Sequence, residues 1–147
     1  MQKSNNLADK NKIKEILSDL YIGDCSNVGT FFDDLADLLA NNTQAITHIV
    51  DGLEGLNLLQ FAAHHGKYNL AEFLLESVKY DPNSCGAINI APILLAADAN
   101  SFKIVELLIK HGADVFATDD QGRTAVNFCR SDKMIEIFKS KGVSRKL

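Results

Sequence analysis

The sequence predicts an all-α solenoid, helix-turn-helix units stacked side by side. Two observations predict it. Residues 89–115, NIAPILLAADANSFKIVELLIKHGADV, hold one complete unit with its own start, turn and stop. In addition, residues 56–63 (LNLLQFAA), 90–97 (IAPILLAA) and 123–130 (RTAVNFCR) recur at roughly 33 residues. A unit of this kind cannot bury its apolar face alone and must stack on its neighbours.

The complete unit justifies itself residue by residue. Pro92 suits a first helical position, where its missing N–H has no intrahelical partner. Ile93, Ala96 and Ala97 share one face, and the alanines are small enough for a second helix to approach. Asn100 can end that helix in a left-handed cap. Ile104, Val105, Leu107 and Leu108 then form the apolar stripe of a second helix that stops at Gly112. Ala97→Glu should therefore place a lone charge between paired helices.

The residues APILLAADANSFKIVELLIKHGADV resemble the ankyrin repeat, whose usual signature is TPLHLAA followed by G-H-x-x-I-V-x-x-L-L-x-x-G-A-D. The resemblance covers about residues 51–143. It implies short β-hairpin fingers joining the units, and Gly55, Asn89 and Gly122 recur where each finger enters the next helix. Those residue types accept φ > 0 most easily.

Composition bounds the rest. The chain has 147 residues, 46% hydrophobic and 23% charged, so one domain with ample core is expected. The formal net charge is −4, which argues against nucleic-acid or anionic-membrane partners, since both usually need a basic stripe. Cys25, Cys85 and Cys129 are widely spaced, odd in number and without C-x-x-C spacing. They read as reduced thiols of an intracellular, cytoplasmic or nuclear chain rather than a zinc site. The N-terminus lacks the apolar run of a signal peptide, and no run approaches membrane length.

Taken in order, a polar dozen residues precede a helix over 13–22, with Ile13, Ile16, Leu17 and Leu20 on one face and Gly23 as its stop. Thr30 starts a second helix whose Phe31, Leu35, Leu38 and Leu39 face inward. These form a degenerate first repeat or cap within 1–50. The β-branched arm AITHIV follows and runs into the turn Asp51-Gly52. Repeats then occupy 51–85 and 86–118, a truncated capping repeat 119–143, and a tail 144–147. In the first of these, Gln60 replaces the family's usual His, and no glycine ends the second helix near residues 78–81. In the next, Leu94 replaces that His and Phe116 the usual finger Asn. The last keeps Asp119, Gly122 and Thr124, drops about three residues between its helices, and leaves MIEIF as a helix capped by Ser131, with Arg130, Lys133, Lys139 and Lys141 on its wet side.

Catalytic signatures are missing. His64 and His65 are adjacent, about 100° apart on a helix, and so do not make the i, i+4 metal pair of zinc enzymes. They are solvated or partner-contacting; His48 and His111 read as structural. Cys129 stands where the family has a small buried Ala and reads as a core thiol. Asp119 and Asp120 open a finger tip rather than a calcium loop. No cofactor, phosphate loop or nucleophile elbow is expected.

The resemblance implies a monomeric, non-catalytic module that binds another protein through a concave surface of finger tips and inner helices. Family contact positions fall on Leu53, Glu54 and Leu56 with His64 and His65 behind them, on Ala87, Ile88 and Ile90 with Asp98 and Ala99, and on Asp120, Gln121 and Arg123. Alternatives are an ankyrin-type inhibitor or regulator of an enzyme such as a kinase, or a microbial effector that mimics host ankyrin proteins.

Overall fold

The computed structural model describes residues 15, 18, 30–41 and 55–146. It divides into two compact units, 1–55 and 56–147. In the first, Glu15 and Ser18 are helical and exposed; the rest of the helix expected over 13–22, the arm 45–50, Cys25 and His48 lie outside the described residues. Helix α1 spans Thr30–Asn41 with Asp33 in its first turn. Leu35 is fully buried as expected, and Phe32, at 9% exposure, joins it although the sequence stripe had omitted it.

The second unit is a run of helix pairs: α2 (Leu58–His65) with α3 (Tyr68–Glu76), α4 (Pro92–Asp98) with α5 (Phe102–Lys110), and α6 (Ala125–Phe128) with α7 (Asp132–Lys139). Helices α2, α4 and α6 stack on one another as an inner layer, while α3 packs on α5 outside them. The inner layer can be close because its facing residues are small. Ala62, Ala63, Ala96, Ala97 and Ala125 are all fully buried. The larger Leu59, Phe61, Leu70, Leu74, Leu94 and Leu108 also have no exposure and make up the bulk of the core. Each such side chain contributes about 2 kcal/mol by leaving water.

Local chemistry sets the boundaries. Pro92 is at the start of α4 as expected, and α4 ends at Asp98 with Asn100 left-handed at φ 59°. Ser131 caps α7 through the Met134 N–H at 3.3 Å. Gly55, Asn89 and Gly122 have φ of 87°, 52° and 76°, so the recurrence marked a conformational need. The missing glycine after α3 is answered by Lys79, which takes φ 62° where the next repeat has Gly112 at φ 94°.

Among the described residues there are no strands, so β-hairpin fingers are not confirmed and the connections there are chains of turns. Their tightness comes from side chains: Asp81 and Asp114 each accept, at 2.9 Å, the N–H two residues further on. Cys129, expected in the core, is only half-buried. Helix α6 is four residues long, and Cys129 already has extended geometry (φ −63°, ψ 137°) at its end.

Candidate protein-binding face

Side chains that reach main-chain groups of the next repeat position this face. Asn57 caps α2 and forms a reciprocal box with Gln60: the Asn57 N–H donates to Gln60 Oε1 and the Gln60 N–H to Asn57 Oδ1, both at 2.8 Å. Gln60, fully buried, then donates through Nε2 to the Ile90 carbonyl at 2.7 Å. Asn57 Nδ2 reaches the Ser84 carbonyl at 3.3 Å. Gln60 thus serves two main-chain groups, which Leu94, equally buried in α4, cannot do.

The fingers are braced to one another in the same way. Asn83 Oδ1 accepts the Asp114 N–H at 2.7 Å, and its Nδ2 donates to the Gly112 carbonyl at 3.3 Å. Nearer the tips, Asn89 Nδ2 donates to Asp120 Oδ1 at 2.8 Å. Asp119 closes the last tip by accepting the N–H groups of Gln121 at 2.9 Å and Arg123 at 2.8 Å, and the Arg123 guanidinium at 2.7 Å. Burial opposes its ionisation, but these hydrogen bonds outweigh that and hold its carboxyl below the usual range.

Residues 87–89 and 120–123 are exposed, with Ile88 at 40% exposure. Leu56 and Ile90 are half-buried, and Leu53 and Glu54 lie outside the described residues. Behind the tips, His64 and His65 are exposed at the end of α2, their rings edge to face at 4.8 Å, with His65 also 4.3 Å from Phe61. Ala99 is exposed, whereas Asp98 is half-buried and engaged by Arg130, whose Nη2 lies 2.9 Å from its carboxylate and whose Nε donates to its carbonyl at 2.7 Å. Arg130 therefore ties α4 to the last repeat rather than standing alone in solvent.

Sequence reasoning did not include Phe116, which at 57% is the more exposed of the two large apolar side chains left open among the described residues. Its signal was its place at the finger Asn of the family. At the end of α5, His111 Nε2 is buried 3.5 Å from Glu76 Oε1 of α3, with no hydrogen-bond partner among the described residues. The Cys129 thiol is pushed up to about 11 by burial, eased slightly by Arg145, and burial followed by Asp81 raises the exposed Cys85. Neither thiol is activated. Among the described residues no three His, Cys, Asp or Glu side chains gather to hold a metal, and no helix is long and apolar enough to cross a membrane.

Stacked helix pairs joined by braced turns are the architecture of a repeat protein, and the comparison with known families agrees. The model for ankyrin repeats (3 copies) matches residues 25–119 and 59–143. The chain belongs to the ankyrin repeat family. A curated relative, the probable palmitoyltransferase AKR2 of Saccharomyces uvarum, is 36% identical over 84 residues, covering 54% of this chain and 11% of that protein. The chain thus spans about a ninth of the relative it matches.

Proposed function

We propose that the chain is a non-catalytic module that binds a partner protein through its finger tips and the exposed ends of its inner helices. The observation that carries this reading is the pair of exposed tips, 87–89 and 120–123, braced by the Asn89–Asp120 hydrogen bond, with Ile88 exposed on the first. A braced surface loses little conformational freedom on association, and an exposed aliphatic anchor gains by being covered. The contact set is Leu53, Glu54, Leu56, His64, His65, Ala87, Ile88, Ile90, Asp98, Ala99, Asp120, Gln121 and Arg123, with Phe116 added. The reading places a monomer inside the cell, where unpaired thiols such as Cys85 and Cys129 stay reduced. The palmitoyl-transfer chemistry in the relative's name is not part of it, since the matched segment is a small share of that protein.

Affinity capture with the wild type and with Ile88→Ser, both verified as folded, tests the reading. A protein retained by the wild type and lost by the variant supports it. Identical retention by both would move the site off the tips.

A further inference from the structure

The residues that receive a finger on α2 have counterparts on α6, and there they are occupied by residues 144–146. In α2 the cap residue Asn57 reaches the Ser84 carbonyl at 3.3 Å, and Gln60, three residues on, reaches the Ile90 carbonyl at 2.7 Å. Thr124 and Asn127 hold the same two positions in α6. Thr124 Oγ1 donates to the Ser144 carbonyl at 2.5 Å, and Asn127 Nδ2 donates to the Lys146 carbonyl at 3.1 Å. Asn127 Oδ1 also accepts the Lys146 N–H at 2.9 Å.

The tail is delivered there by its own anchor. Gly142 turns the chain at φ 89° beneath the Phe116 ring, and Val143 is buried at 3% exposure with its N–H on the Phe138 carbonyl at 3.1 Å. The two carbonyls reached are six residues apart in the finger (84 and 90) and two apart in the tail (144 and 146). A short run therefore does in one pass what a finger does with its two limbs. Lys146 adds a side-chain contact: its Nζ donates to the Gln121 carbonyl and its stem lies beside Gly122, so it rests on the last tip.

We propose that residues 144–146 are a latch: they fill, on α6, the place that a finger takes on α2, and they hold α6 and the tip at 120–123 closed. The place they fill reads main chain, because three of its four bonds to residues 144–146 go to their backbone groups and the fourth is the outlying Lys146 ammonium. Released, it is open to the backbone of another extended segment. The latch does not depend on the tips being the partner site.

Hydrogen exchange of the Asn127 side-chain amide, followed by NMR, tests it, with exposed Asn69 as the reference. In the wild type the Asn127 amide hydrogens should exchange at least about tenfold more slowly than those of Asn69. Lys146→Pro removes the N–H that Asn127 Oδ1 accepts and sets the proline ring against that oxygen, which forces the residue-146 carbonyl off Asn127 Nδ2 and should abolish that protection, whereas Lys146→Ala, which keeps the main chain, should retain it. Backbone amides of α4 report that the stack stays folded in both variants. Equal exchange at Asn127 and Asn69 in the wild type, full protection in Lys146→Pro, or equal loss in both variants would each overturn the latch.

Discussion

Gln60 is the position where a single substitution tests how the repeats are joined. Its fully buried amide accepts the Asn57 N–H at 2.8 Å and donates to the Ile90 carbonyl at 2.7 Å, 30 residues away. Gln60→Leu keeps the volume and removes both bonds, leaving a donor and an acceptor without partners. Each orphaned group costs about 1–3 kcal/mol, and the added apolar burial recovers about 1, so the net loss is about 3 kcal/mol. For a unit of this size that lowers the melting temperature by on the order of 10 °C. Gln60→Glu sharpens the test. An ionised carboxylate there would face the Ile90 carbonyl as a second acceptor, while the protonated acid can donate to it. Its folded pKa is therefore raised above the unfolded value of about 4.3. The sign follows: the variant is most stable below about pH 4.3 and loses stability as pH rises through the folded pKa. Thermal melts by circular dichroism from acid to neutral pH, each referenced to the wild type at the same pH, read both variants. A Gln60→Leu variant that melts with the wild type, or a Gln60→Glu variant whose deficit does not grow with pH, would refute the reasoning.

Three further outcomes follow from the same geometry. Ala97 is fully buried between helices, so Ala97→Glu should cost several kcal/mol, about 3 or more, in denaturant unfolding, and an unchanged midpoint would misplace the core. Gly112, at φ 94° with open space where a Cβ would go, should lose about 1–2 kcal/mol on Gly112→Ala from backbone strain alone, while Lys79→Gly at φ 62° should be neutral or stabilising by up to about 1 kcal/mol. With its thiol pushed up to about 11, Cys129 should be alkylated by iodoacetamide at pH 8 roughly a hundredfold more slowly than a free cysteine, and faster as pH climbs toward 11; peptide mapping would show parity if burial were not the cause.

The legible parts of the fold were those that single residues announce. Pro92, Asn100, Gly112 and Ser131 marked helix ends through their own backbone or side-chain chemistry, and the alanine pairs marked the layer between helices. Lys79 was illegible because nothing in a lysine signals φ > 0; its conformation follows from the repeat geometry around it. Cys129 misled because the helix stops at Phe128, so Cys129 is extended and half-buried rather than on a helical core face. The tips were placed by family position, and the bonds that brace them, Asn83 to Asp114 and Asn89 to Asp120, each span 31 residues. Such pairs have no local pattern to betray them. The tail was unreadable for the same reason, since its partners Thr124 and Asn127 lie about 20 residues back.

The most direct test of the central claim, that the tips are the binding surface, is site-specific photo-crosslinking in cell extract. A photoreactive residue replaces Ile88 at a tip in one protein and Lys103, exposed on outer helix α5, in another. The account predicts a discrete crosslinked partner from position 88 that unlabelled wild type competes away, and none from position 103. A competed crosslink from position 103 with none from 88 would contradict it and put the binding surface on the outer helices.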